Sequence, residues 1–443
     1  MPLKLPKEQI VQLAPDEASV KAAKGLATTS KWGVRQFSDR CIWGHCQGSG
    51  KNPYQTAVDI TDIAFKCSCP SRKFPCKHAL GLLFLYESHA DGFEQADEPD
   101  WVKAWLDKRA VRAEKKEKPG TQAAPVDEEA KAKRLAKRHQ NVMEGIADLE
   151  VWMKDLLRNG LVNVPERAYS VFEAMAKRMV DAQAPGLAAR LRTMADIDYG
   201  AESWKHELTD KLSKLFMVIS AYRNVDRLPA DWQDEIRTQV GFSQSRDMVL
   251  GGEPLVGRWL VLGKRSQTAN GLTTDSYWFY GEHSGRCALC LSFSVPGSIT
   301  DAGWVPGCVY DGSMCYYPGA GTNRRALPKE LILVDGRVVP AFCADLSQAA
   351  LRYRQHATEN PLAEDIPLLV SDVLLAGSGG ACCLVDMAGN AVPLVVSDEM
   401  RIDVLAISGG KPFSAFVIAN DGRWRLVAMW YNNEYHTWRD EHN

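Results

Sequence analysis

No long apolar run exists in this 443-residue sequence. The longest, Ala79 to Tyr86, spans eight residues counting Gly81, where a bilayer crossing needs ~20. The opening Met1-Pro2-Leu3-Lys4-Leu5-Pro6-Lys7 lacks the apolar core of an export signal, so a cytoplasmic location is expected. Excess charge is missing too. Lys and Arg number 53 against 55 Asp and Glu, a formal net charge of −2. That balance argues against bulk nucleic-acid binding by the whole chain and leaves room for a local basic face.

Recognisable catalytic patterns are also scarce. The stretch Gly44-His45-Cys46-Gln47-Gly48-Ser49-Gly50-Lys51 has the glycines of a phosphate loop but fails its spacing. His45 stands where the first glycine belongs, and Asn52 replaces the Ser or Thr that would bind magnesium. Its glycines are better explained by a tight turn. His283, His356 and His436 are isolated. Cys287-Ala288-Leu289-Cys290 lies in a strand-like run, away from the helix N-terminus that lowers the pKa of a redox thiol. An enzyme with an unrecognised active site in the C-terminal β-rich region remains the alternative class, because catalytic groups are often dispersed in sequence.

What is present is a compact set of metal ligands. Cys67-Ser68-Cys69 is followed, after six residues, by Cys76-Lys77-His78. Three thiolates and one imidazole at this spacing fit a closed tetrahedral zinc site. Four protein ligands leave no position for water, so the site is structural rather than catalytic. The order of runs supports it. Tyr54 to Ile60 and Ile63 to Cys67 read as strands, and Ala79 to Tyr86 as a helix. The first ligand pair then sits at a strand end and the second at a helix start. Three thiolates and Zn²⁺ carry one net negative charge, which Lys66, Arg72, Lys73 and Lys77 would balance, with backbone N–H groups bonded to the sulfurs. Pro70 and Pro75 stiffen the intervening loop. Cys41 and Cys46 have no further ligand pair, and Cys46 is expected to pack beside the finger. Most of the other cysteines of the twelve are expected to be reduced thiols.

The one-residue gap within each ligand pair resembles the SWIM zinc finger family. The resemblance extends upstream through Trp43-Gly44-His45-Cys46-Gln47-Gly48-Ser49-Gly50-Lys51-Asn52-Pro53-Tyr54. Across Lys66 to His78 the chain is similar to the bacterial branch of that family. The likeness covers residues 30–90. It implies a zinc-binding interaction module that contacts DNA or a protein partner.

The same segment carries a candidate binding face. Between Lys51 and Tyr86 the cations are Lys51, Lys66, Arg72, Lys73 and Lys77, against Asp59 and Asp62, a local balance of 5 − 2 = +3. With Tyr54, Phe65 and Phe74 nearby, phosphate contacts by these five residues are an expectation. Charge balance for the thiolates is the competing explanation. Gln47, Ser49 and Asn52 would have to supply any base preference.

The fold class expected is α+β and multidomain. A small ββα-type zinc finger module occupies residues 1–93. An acidic, aromatic stretch and a charged linker follow over 94–129. A helical bundle region takes 130–245, and a mostly antiparallel β domain 250–443. Residues 108–138 hold eleven Lys or Arg against five Asp or Glu, and Lys118-Pro119-Gly120 breaks any helix there. The bundle shows in apolar stripes at three- and four-residue steps. They run through Leu135, Val142, Ile146, Leu149, Met153 and Leu156; Val171, Met175 and Met179; Leu187, Leu191 and Met194; and Leu208, Leu212, Leu215, Ile219 and Tyr222. From Gly251 onward β-rich runs alternate with turns. Expected strands include Ser276 to Tyr280, Cys287 to Val295, Arg337 to Phe342 and Asp403 to Ile407, with one helix near Leu346 to Arg354.

Overall fold

The computed structural model describes residues 5–48, 52–61, 63–71, 73–117, 128–269, 272–294, 303–378, 381–420 and 422–438. The first region opens with helices α1 (Lys7–Leu13) and α2 (Glu17–Lys24), the latter capped by Asp16, whose carboxylate accepts from the Ser19 N–H. Strands β1 (Trp32–Phe37), β2 (Cys41–Cys46), β3 (Tyr54–Asp59) and β4 (Ala64–Cys67) then form an antiparallel meander. Helix α3 (Lys77–Ser88), the short β5 (Glu94–Gln95) and α4 (Asp100–Glu117) complete it. The strand order is β4-β3-β2-β1-β5. The two strands and helix expected around the ligands are therefore present as β3, β4 and α3. The structure sets them in a wider sheet, whose β2 runs straight through Gly44 to Cys46.

Alternation along these strands feeds two faces. Ile42, Val58 and Phe65 join a core with α3, while Trp43 and Ala57 point to the other side and pack on Val102 and Leu106 of α4. The sheet is thus covered on both faces. Gly44 is required by this closeness, since a Cβ there would lie 2.7 Å from the Val34 carbonyl and 2.8 Å from the Trp32 ring. Residues 100–117, which include the start of the expected charged linker, are helical. The Pro119-Gly120 stretch lies outside the described residues.

The helical region contains α5 (Glu128–Arg158), α6 (Val164–Asp181), α7 (Pro185–Ala195), α8 (Trp204–Arg223) and α9 (Ala230–Val240). Each predicted stripe lies on one helix, α5 to α8 in order, and most of its members are buried, with Leu156 and Val171 half-buried. Leu135, at the start of α5, is half exposed. The bundle core draws its buried members from these helices and the turns between them, with Leu362 the exception. A short helix, α10 (Arg246–Leu250), leads out.

Two β structures follow. Strands β6 (Leu255–Ala269), β7 (Leu272–Gly281), β8 (Cys287–Ser294), β9 (Val309–Tyr316) and β10 (Arg324–Val334) close into a barrel in the order β10-β8-β7-β6-β9. After α11 (Leu346–Glu359), strands β11 (Ile366–Ser378), β12 (Ala381–Asp386), β13 (Ala391–Val395), β14 (Phe413–Asn420), β15 (Arg423–Tyr431) and β16 (Glu434–Thr437) form a sheet ordered β13-β12-β11-β14-β15-β16. Helix α12 (Asp398–Ser408) bridges β13 and β14. One alternating set of barrel residues, including Trp278 and Leu262, packs on Phe416 and Val427 of the sheet. The other set, including Trp259, Tyr277, Phe279 and Tyr310, is continuous with the core of the first region. A Cys308 thiol donating to Gln9 Oε1 at 3.1 Å and a Leu333 N–H donating to the Thr61 carbonyl at 3.3 Å bind the two regions together.

Two expected strands are overturned. Arg337 to Phe342 has no ladder and runs as irregular chain through Pro340, which cannot donate a ladder bond. Asp403 to Ile407 lies inside α12. The local signals there are helical. Ser397 Oγ accepts from the Met400 N–H, Asp398 and Glu399 occupy the first turn, and Gly409 ends the helix at a φ of 61°.

Candidate metal centre

Cys67 is the last residue of β4, and Cys69 follows it on an extension tied to the next strand. There the Ser68 N–H donates to the Gln55 carbonyl at 3.0 Å, and the Gln55 N–H to Ser68 Oγ at 2.9 Å. Cys76 is the N-cap residue of α3, and His78 lies in its first turn. The loop between the pairs is pinned by Phe74, whose ring meets Phe65 edge-on at 6.0 Å. The strand end and the helix start thus bring four ligand atoms within 4.8 Å of one another. His78 Nδ1 lies 3.8 Å from Cys67 Sγ and 4.0 Å from Cys76 Sγ. Tetrahedral zinc with bonds of ~2.3 Å to sulfur and ~2.0 Å to nitrogen needs ligand atoms ~3.5–3.8 Å apart, so the cluster is close to the required geometry before any adjustment.

The sulfurs are supported from outside. Backbone N–H groups of Cys69, Ser71 and Ala79 donate to the sulfurs of Cys67, Cys69 and Cys76 respectively. Thr56 Oγ1, fully buried, lies 3.2 Å from Cys67 Sγ. The Tyr54 ring packs on the His78 imidazole at 4.7 Å between centroids. Contact with the Cys76 thiol holds the Cys67 pKa well below the usual thiol range, and the same contact raises Cys76. Thr56 escapes a search for metal ligands by residue type. Its signal is strand register: it pairs with Cys67 across the β3–β4 ladder.

Cys41 and Cys46 lie at opposite ends of β2 and in different cores. Cys46 packs beside the finger, and burial pushes its thiol up to about 11. In β8, burial likewise pushes Cys287 up to about 12 and Cys290 further, as expected of packed thiols rather than a redox pair. The histidines of the later region stay apart. His283 is exposed, His356 meets Thr322 at 3.1 Å, and His436 lies 4.0 Å from Glu434.

Two sequence comparisons bear on this centre. The family model described as SWIM zinc finger matches residues 66–87, which contain all four ligands. A second, described as SWIM-associated four-helix bundle domain, matches residues 137–240, the stretch from α5 to α9. The chain therefore carries a SWIM zinc finger and a SWIM-associated four-helix bundle domain. No curated protein matches it. The SWIM finger and its Cys67, Cys69, Cys76 and His78 cluster make zinc the bound metal, and a closed set of three thiolates and one imidazole gives it a structural role.

The five basic residues of the finger do not share one situation. Lys66 is half-buried: its ammonium donates to the Trp101 carbonyl at 2.9 Å and sits 5.5 Å from the centre of that indole. Lys73 pairs with Asp16 at 2.6 Å. Lys77 is exposed at the start of α3. Lys51 and Arg72 lie outside the described residues, as do Ser49 and Asp62. No helix among the described residues is long and apolar enough to cross a membrane.

Proposed function

We propose that this SWIM protein is an interaction protein whose zinc holds a recognition module in shape, and that its partner is a protein rather than DNA. The observation that carries the choice is the commitment of Lys66 to the Trp101 carbonyl and of Lys73 to Asp16. An ammonium already bonded within the fold releases few counterions on meeting a phosphate, and counterion release dominates DNA affinity. The near-neutral whole chain points the same way. In this reading Lys66 and Lys73 help join the finger to α4 and to the α2 cap, and Lys77 offsets the charge of the zinc–thiolate core.

The test is anisotropy of a labelled random-sequence duplex with the zinc-loaded full chain. Non-specific DNA binders reach Kd values of about 10⁻⁴–10⁻⁶ M at physiological salt. The protein reading expects nothing tighter, and no change when Lys73 and Lys77 are both reversed to Glu. Tighter, steeply salt-dependent binding that the double reversal removes would transfer the function to DNA, with Lys51, Lys66, Arg72, Lys73 and Lys77 as phosphate contacts. A partner retained by the immobilised chain after nuclease treatment, and lost with Cys76→Ser, supports the protein reading.

A further inference from the structure

The barrel carries an arginine cluster that the zinc centre leaves unexplained. Arg286 stands just before β8, Arg324 opens β10, and Tyr316 closes β9. The parallel pairing of Arg324 with Ala288 brings the first two strands together. Both guanidiniums gather on the Tyr316 ring, Arg286 at 4.5 Å and Arg324 at 5.5 Å from its centre. The phenol itself is spent, donating to the Cys287 carbonyl at 3.1 Å. Arg324 Nη1 holds the following loop through the Tyr317 and Gly319 carbonyls at 3.5 and 3.3 Å.

Both Nε atoms, however, are buried without an acceptor. Among the described residues no carboxylate forms an ion pair with either arginine. Tyr316 and then Asp231 and Glu235 of α9 favour the charged Arg324, after the larger opposing effects of burial and Arg286, but neither carboxylate reaches it as an ion pair, and Glu235 accepts from Gln239 at 2.7 Å. Burial and then repulsion from Arg286 lower the Arg324 pKa. Arg352 of α11 adds a third positive charge in reach of the neighbouring Cys287 thiol. Like charges sharing a desolvated site are costly unless an anion completes them. The guanidinium fork, with its Nε–H and Nη–H, fits two oxygens of one tetrahedral anion.

We propose that Arg286 and Arg324, gathered on the Tyr316 ring, form a binding site for a phosphate-class oxyanion on the barrel, separate from the zinc centre. Nothing in this assignment depends on the partner of the finger. The unpaired Nε–H groups supply the donors, and the aromatic ring holds both guanidiniums within 5.5 Å of one centre.

The test is calorimetric titration of the zinc-loaded full chain with inorganic phosphate, against chloride at matched ionic strength. Saturable binding is expected with phosphate and none with chloride. Arg286→Gln should weaken it at least about tenfold, because a charged hydrogen-bond partner is lost. The Arg286 side chain makes no hydrogen bond within the described fold, so zinc content and Tm should hold. Should that variant prove unstable, Arg286→Lys keeps the charge without the fork and should still lose several-fold affinity. Arg337→Gln, whose guanidinium bonds Asn433, is the control and should bind as the parent does. Glycerol 2-phosphate forms a second arm. Binding of both ligands assigns the site to phosphorylated compounds, and binding of phosphate alone assigns it to the free ion; either supports the site. Absence of phosphate binding, or equal binding by Arg286→Gln or by Arg286→Lys, overturns it.

Discussion

The zinc finger and the helical bundle solve the same problem by opposite means. In the bundle, stripes at helical spacing bury one face of each helix, and the resulting core draws almost nothing from other regions. In the finger, the sheet and α3 are stapled by a metal, and their apolar core runs on into the barrel through Trp259, Tyr277 and Phe279. The lesson concerns where cohesion comes from. The bundle can carry its own stability. The finger relies on a cation and on a neighbour remote in sequence, so damage to it should reach the barrel before it reaches the bundle.

Removing a ligand gives the largest expected effect. Cys76→Ser should abolish zinc binding and strip amide-exchange protection from β3, β4 and α3, while α5 to α8 keep theirs. Structural zinc contributes ~10–16 kcal/mol in finger peptides, more than a small module can otherwise supply. Acidification should release zinc in the same way, because the ligands must be deprotonated to bind. Simultaneous loss of protection in α5 to α8 would show one cooperative unit and break the comparison.

The converse probe is Phe172→Ala in α6. This ring is fully buried and meets Trp152 edge-on at 5.9 Å. Its loss should cost about 3–5 kcal/mol in urea unfolding of the bundle, with one zinc per chain retained. A fall in zinc content would contradict the bundle's independence.

A subtler change sharpens the finger's side. Thr56→Val keeps the shape but removes the hydroxyl 3.2 Å from Cys67 Sγ. Zinc affinity should drop ~10–100-fold in a chelator competition, as for other groups that support metal ligands from outside. The smallest effect is expected outside both regions. Ser397→Ala removes the cap of α12 and should cost about 1 kcal/mol, seen as faster exchange over residues 398–408 with zinc and bundle unchanged.

The metal ligands were legible in the sequence, because Cys67, Cys69, Cys76 and His78 lie so close along the chain that a turn and one helix start bring them together. The bundle stripes were legible for a related reason: their period depends only on local helix geometry, and Met175, Leu191 and Leu215 are buried as that period requires. Short β segments were read less well. A run such as Asp403 to Ile407 fits strand and helix alike until the Ser397 cap and Gly409 stop are weighed.

The sequence by itself determined the zinc-ligand set, the SWIM finger and the helical stripes, since each rests on residues a few positions apart. Tertiary structure alone decided the rest. Thr56 reaches Cys67 only through strand register, Lys66 finds the Trp101 carbonyl 35 residues away, and Arg286 meets Arg324 only because a barrel closes. Strand pairing and barrel closure join residues by backbone hydrogen bonds, which every residue except proline can both donate and accept. Such bonds leave little trace in side-chain identity, so the partners they bring together emerge only from the folded chain.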